Sequence, residues 1–227
     1  KAEALDALHV CDEALALQDS VRGQYVAARI GDNEIEDYRK TADVRPDSAT
    51  ETYAALKLMI DNWRWAGVPF YLRTGKALKS RRTEVAIKFK QAPFALFRDT
   101  PVDRLAQNFL VIGIQPDECI GLQFNAKVPG PVISISGVDM VFKYQDYFDA
   151  APSTGYETLI YDCMIGDAIL FQRADGVEAG WRVVQPFLDA WRNAGPNGLA
   201  TYKAGSEGPE EADRLLARDG RRWRPIA

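Results

Sequence analysis

Histidine occurs once among the 227 residues, at His9, and cysteine three times, at Cys11, Cys119 and Cys163. A single imidazole excludes, within this chain, any function that needs a histidine pair or a multi-histidine metal site. Three cysteines far apart, with no C-x-x-C, exclude a disulfide framework and fit a reducing compartment. No run approaches the roughly 20 apolar residues of a membrane helix, and no signal-peptide pattern opens the chain. Neither charge sign dominates: 28 Lys and Arg stand against 32 Asp and Glu, a net charge of −4, so no nucleic-acid partner is expected. Glycine-rich phosphate loops (GxGxxG, GxxxxGK[ST]) are also lacking, which removes any fingerprint for a catalytic nucleotide. What is present, 47% hydrophobic and 26% charged residues, belongs to an ordered globular chain. It is long enough for one sizeable domain or two small ones. The chain opens at Lys1, mid-pattern and without an initiator methionine, and reads as a fragment.

Hydrophobic periodicity supplies the elements. Residues 1–17 mix helix formers with a charged face and predict a short helix through about Ala7. A short strand is expected at 25–28 after Gly23, and an exposed loop at 31–49. Tyr53, Leu56, Met59, Ile60 and Trp63 follow a three-and-four spacing, which predicts a helix opening at Thr50 and ended by Gly67. Extended patterns follow: Phe70-Tyr71-Leu72, with Arg73-Thr74-Gly75-Lys76 as a turn, and then 83–90. In 83–90, Val85, Ile87 and Phe89 alternate with Glu84, Lys88 and Lys90, the pattern of a half-buried antiparallel strand. Residues 108–114 read as a central strand. Residues 119–128 alternate, with Ile120, Leu122, Phe124, Ala126 and Val128 inward. Residues 132–144 give a strand broken by Gly137, and Pro- and Gly-containing turns separate these runs. A helix at 156–164 and a strand at 168–173 come next. Trp181, Val184, Leu188 and Trp191 then mark a helix that Pro186 kinks or restarts. A last helix opens after Gly208-Pro209 and stops at Gly220. This order predicts an α+β domain with a large, mostly antiparallel sheet and helices on one face, not a Rossmann alternation.

One stretch concentrates charge. Residues 73–90 hold Arg73, Lys76, Lys79, Arg81, Arg82, Lys88 and Lys90 against the single acid Glu84, a local +6 on an acidic chain. Such a patch focuses small anions, and phosphate suits its mixture of guanidinium forks and mobile ammonium groups. Gly75 permits close backbone approach. Equally, Lys79, Lys88 and Lys90 fit the solvated face of a strand and its turn. His9 has no Ser, Cys or carboxylate at a motif spacing and reads as a surface or packing histidine. The cysteines read as inert thiols.

Several segments carry a resemblance. Val21-Arg22-Gly23-Gln24-Tyr25, Glu51-Thr52-Tyr53-Ala54-Ala55-Leu56-Lys57 and Asp61-Asn62-Trp63-Arg64-Trp65-Ala66-Gly67-Val68-Pro69-Phe70 lead into Leu72-Arg73-Thr74-Gly75-Lys76-Ala77-Leu78. Further on come Gln115-Pro116-Asp117-Glu118, Tyr156-Glu157-Thr158-Leu159-Ile160-Tyr161-Asp162 and Gly205-Ser206 with Gly208-Pro209. In collinear order over essentially the whole chain, this resembles the C-terminal domain of the glucose-6-phosphate dehydrogenase family.

The resemblance implies that residues 1–227 are one domain, built on a broad mixed sheet, of a longer two-domain enzyme. That enzyme would oxidise D-glucose 6-phosphate to 6-phospho-D-glucono-1,5-lactone with NADP or NAD, the first step of the pentose phosphate pathway, in the cytoplasm. It implies two substrate-binding residues here, Lys76 and Arg81, and no catalytic residue, metal or cofactor site in this fragment. The general-base histidine, its aspartate, the His/Tyr/Lys phosphate cluster and the cofactor turn would all lie on an N-terminal dinucleotide-binding domain; His9 does not stand in for that base. Some members carry a second, structural NADP on this domain. Arg73 and Arg82 would match that site, but Ala86, Gly113, Gln123 and Glu207 would not, and none is expected. A homodimer or dimer of dimers through the sheet is expected, with the isolated fragment inactive. The alternative is a catalytically silent sheet domain for dimerisation or sugar-phosphate sensing.

Overall fold

The computed structural model describes residues 2–9, 11–91, 106–132, 134–148 and 155–226. They divide between two compact units, Lys1–Ser80 with Thr154–Ala227, and Arg81–Ser153. In chain order the first unit contributes α1 (Ala2–Asp6), α2 (Glu13–Gln18), β1 (Ser20–Val26), β2 (Ala28–Ile30), β3 (Asn33–Ile35), β4 (Tyr53–Met59) and β5 (Pro69–Gly75). The second contributes β6 (Thr83–Lys88), β7 (Phe109–Gln115), β8 (Cys119–Lys127) and β9 (Ile135–Lys143). The first then resumes with α3 (Tyr156–Ile165), α4 (Ala174–Ala194), β10 (Leu199–Lys203) and α5 (Glu210–Ala217). The α+β class is the one expected. The described strands form two four-stranded sheets and a β2–β3 hairpin.

In the first unit the order is β10-β1-β4-β5, with β10 parallel to β1 and the other pairs antiparallel. The segment expected as the clearest helix is β4, a central strand. It pairs with β5 from Tyr53↔Gly75 to Met59↔Pro69, and with β1 from Tyr53↔Gly23 to Leu56↔Ser20. Helix propensities among Ala, Leu and Lys differ by only tenths of a kcal/mol per residue, so two hydrogen-bonded neighbours override them. The expected 73–76 turn is likewise strand as far as Gly75, and Trp63 projects wholly exposed from the β4–β5 connection.

Alternation along β4 sorts the two cores. Ala54, Leu56 and Leu58 pack with Ala16 of α2 and Val183, Phe187, Ala190 and Trp191 of α4. Tyr53 and Ala55 pack with Tyr202 of β10 and Ala212, Leu215 and Leu216 of α5. Successive strand residues face opposite sides, so this sheet carries helices on both faces rather than one.

Helix α4 runs through Pro186 as one 21-residue helix. Its buried stripe is Ala179, Val183, Phe187, Ala190 and Trp191, rotated from the expected one, and Trp181 is exposed. Residues 168–173 form no strand: Phe171 N–H donates to the Ala168 carbonyl at 3.2 Å, a turn leading into α4. Helix α3 forms as expected, yet Ile160 and Met164 are exposed.

The second unit is a sequential antiparallel meander, β6-β7-β8-β9. Gly137 does not break its last strand; it pairs with Asn125 inside the ladder. The pairs Val85↔Ile112, Ile112↔Ile120 and Leu122↔Met140 gather the apolar residues on one face, as the alternation requires. That face is not inward: Val85, Ile87, Ile112, Ile120, Leu122 and Met140 are all exposed, Met140 at 61%. The described part of this unit holds no α-helix to cover it.

Candidate functional site

Lys76 sits immediately beyond β5, where the chain leaves the sheet. Its N–H donates to the Thr52 carbonyl at 2.8 Å, and its carbonyl accepts from the Tyr202 hydroxyl at 2.8 Å. The next residue, Ala77, has φ +49°, a left-handed conformation that costs a non-glycine residue about 1 kcal/mol. The Gly205–Ser206 turn after β10 holds that conformation in place. Gly205 N–H donates to the Ala77 carbonyl at 2.8 Å, and Lys79 N–H donates to the Ser206 carbonyl at 2.9 Å. The lysine backbone is thus fixed while its side chain is exposed, and among the described residues its ammonium has no ion-pair partner.

Tyr53 explains why glycine precedes the lysine. A Cβ at Gly75 would stand 2.8 Å from the Tyr53 ring, and one at Gly208 would stand 2.6 Å from it. Both positions need glycine so that the ring can lie between the strand and the late turn. Burial pushes the Tyr53 phenol well above its usual range, and its hydroxyl has no hydrogen-bond partner among the described residues. It remains a neutral wall of the core.

The other patch cations divide by partner. Arg73 lies over the Trp223 ring, 4.8 Å from its centroid, donates to the Arg224 carbonyl at 2.6 Å and stands 3.8 Å from Glu207. Glu207 also stands 3.9 Å from Lys79 and accepts from Ile226 N–H at 3.2 Å. Arg82 pairs with Glu84 at 2.8 Å. Arg81, at the start of the second unit, is exposed. Lys76 and Arg81 belong to different units, and each is defined within its own. Lys88 lies 5.7 Å from the centroid of Phe109.

His9 is a surface residue, its Nδ1 3.3 Å from an Asp61 carboxylate oxygen. Among the described residues no group of three or more His, Cys, Asp or Glu side chains could hold a metal. No described helix is long and apolar enough to cross a membrane. Sequence reasoning missed Tyr202, and gave Gly205-Ser206 no role beyond the resemblance, because β10 was not recognised. The available signal was Thr201-Tyr202 bracketed by Gly198 and Gly205.

The fold and this edge define a class: an α+β domain that presents a lysine from a backbone-locked loop at the end of a mixed sheet. Residues 1–224 match the family described as "Glucose-6-phosphate dehydrogenase, C-terminal domain", and the chain belongs to that family. It is 45% identical over 210 residues to glucose-6-phosphate 1-dehydrogenase of Chlamydia trachomatis, an alignment covering 92% of this chain and 48% of that protein. With the Mycolicibacterium smegmatis enzyme it shares 41% over 225 residues, 98% of this chain and 44% of the relative. A solved glucose-6-phosphate dehydrogenase in complex with its substrate glucose-6-phosphate superposes with a TM-score of 0.84 at 30% identity, covering 99% of this chain and 44% of that one. The Mycobacterium avium enzyme gives 0.76 at 37% identity, covering 99% and 43%. The chain spans somewhat less than half the length of these relatives.

Proposed function

We propose that residues 1–227 serve as the substrate-phosphate and dimerisation domain of a glucose-6-phosphate dehydrogenase. The whole protein would oxidise D-glucose 6-phosphate at C1 to 6-phospho-D-glucono-1,5-lactone, with NADP or NAD as hydride acceptor, in the cytoplasm. The observation that carries this reading is the Lys76 loop: its backbone is clamped at both polar groups, its side chain is exposed, and it follows the RTG of the family resemblance. Lys76 and Arg81 would bind the sugar phosphate and orient the ring, lowering the entropic part of the barrier. The hydride acceptor and the proton acceptor would be supplied by an N-terminal dinucleotide-binding domain of the same protein.

We expect no nucleotide on this domain itself: Arg73 and Lys79 face Glu207 and Arg82 pairs with Glu84, so these cations already have carboxylate partners. For the dimer, the exposed apolar face of β6–β9 favours a second copy of the sheet, because a contiguous apolar surface of that kind marks an interaction site. The test is a substrate titration of the intact enzyme at fixed ionic strength. Lys76→Ala is expected to raise KM for glucose 6-phosphate with little effect on turnover of unphosphorylated glucose. Equal loss on both substrates would place the lysine elsewhere.

A further inference from the structure

Tyr202 lies in β10, paired in register with Tyr25 of β1, and is 3% exposed. Its hydroxyl oxygen is 2.8 Å from the Lys76 carbonyl, 3.1 Å from the Thr52 carbonyl and 3.0 Å from the Thr52 hydroxyl. A phenol has one proton, and a carbonyl can only accept. The proton therefore goes to the nearer carbonyl, that of Lys76, and the Thr52 hydroxyl donates to the phenol oxygen at 3.0 Å in preference to the Gly23 carbonyl at 3.4 Å. Thr52 Oγ1 in turn accepts from Tyr25 N–H at 3.0 Å. A directed chain of three hydrogen bonds thus runs from the β1 backbone through Thr52 and Tyr202 to the carbonyl of the loop lysine.

Nothing else in this chain of contacts requires a tyrosine. Packing alone, against Tyr53 at 5.5 Å and Tyr25 at 6.4 Å between ring centroids, would be served equally by phenylalanine. The hydroxyl acts on one exposed functional element, the Lys76 loop, whose next residue is held in a strained conformation. We infer that Tyr202 is a positioning residue for substrate binding: its hydroxyl, oriented by Thr52, fixes the Lys76 peptide and so the place from which the ammonium meets the sugar phosphate. This rests on the reading of Lys76 as a phosphate contact. Without the phenol the loop can relax toward an unstrained conformation and present the lysine from a spread of positions.

The test uses the intact dehydrogenase. Tyr202→Phe is expected to raise KM for glucose 6-phosphate three- to tenfold with kcat within twofold, and to speed hydrogen exchange at the Lys76 amide at least tenfold. On a Lys76→Ala background it should change KM no further. Trp191→Phe, which removes a buried hydrogen bond remote from this loop, should lower stability and leave KM alone; this separates positioning from general loosening. Where Tyr202→Phe does not accumulate as folded protein, Thr52→Val should raise KM two- to threefold and Thr52→Ser should restore it. An unchanged KM in Tyr202→Phe, beside a large rise in Lys76→Ala, would overturn the inference while leaving the lysine's role intact. An unchanged KM in Lys76→Ala would remove the lysine's role, and this inference with it.

Discussion

The indole N–H of Trp191 donates to the Ser20 hydroxyl at 2.9 Å, and that hydroxyl donates to the Ala16 carbonyl at 2.6 Å. One serine at the start of β1 therefore ties α4 to the C-terminal part of α2, with both side chains almost wholly buried. Ser20→Ala leaves the indole N–H and a helix carbonyl without their partner. The expected cost is about 1–3 kcal/mol, the penalty for an unsatisfied buried polar group. Denaturant unfolding should show a lower midpoint with an unchanged slope; an unchanged midpoint would mean that water replaces the serine.

Lys76→Ala in the intact enzyme should raise KM for glucose 6-phosphate about ten- to a hundredfold, since a hydrogen bond to a charged group contributes roughly 1.5–3 kcal/mol. Arg81→Ala should act in the same direction to a similar or smaller extent. Lys79→Ala is the control, because that ammonium faces Glu207. Substrate titrations at constant ionic strength read all three, and equal effects of Lys76→Ala and Lys79→Ala would reduce the patch to solvated charge.

The 227-residue chain alone should reduce neither NADP nor NAD in the presence of glucose 6-phosphate. A spectrophotometric assay decides this, and any substrate-dependent reduction by the purified chain contradicts the division of labour proposed here.

Dimerisation should fail when a charge is placed on the exposed sheet face. Leu122→Asp and Met140→Glu sit on directly paired residues of that face. Each is expected to give a monomer in sedimentation at tens of micromolar, where the unmodified enzyme is expected to give a dimer. Wild type sedimenting as a monomer would remove the role assigned to the face.

Acid should act through Asp219, whose carboxylate accepts from Lys57 at 2.7 Å and from the Tyr71 hydroxyl. These hydrogen bonds hold it below the usual carboxylate range, Lys57 contributing most. In that window the unfolded chain binds more protons than the folded one, so stability rises with pH. The contribution is complete above the ordinary aspartate value of about 3.9 and is lost as pH falls through the lower folded value. Asp219→Asn should be less stable at neutral pH and should lose less on acidification. Parallel pH–stability curves for the two proteins would count against this.

How far the sequence could be read depended on where each element found its partners. Strands β6 to β9 pair with their sequence neighbours, and their alternation and turns were legible to within a few residues, apart from the break expected at Gly137. Their apolar face was legible too, but not its exposure, since alternation gives a side and not what covers it. Strand β4 was hidden because Ala54-Ala55-Leu56-Lys57 favours a helix by local preference, and that preference outweighed the nearby β5 while the other partner, β1, lies well upstream. Strand β10 was hidden for a related reason: five residues with one buried side chain acquire their meaning only beside β1. Lys76 was singled out by charge and motif. The groups that hold it, Thr52 and Tyr202, could not, because they are joined to it by hydrogen bonds across the sheet rather than by spacing along the chain.

The parallel pairing of β1 with β10 joins Arg22 to Leu199, so the first unit is assembled from both sides of the second. During vectorial synthesis the β6–β9 meander, all of whose pairings are local, emerges complete while the first sheet still lacks an edge strand and α5. Long-range pairing of that kind is the slow step in building a sheet. The loop that carries Lys76 therefore leaves the ribosome more than a hundred residues before Tyr202 and Gly205 arrive to shape it. A nascent chain halted before residue 199 holds every cation of the patch and none of the late turn that pins Ala77 and Lys79.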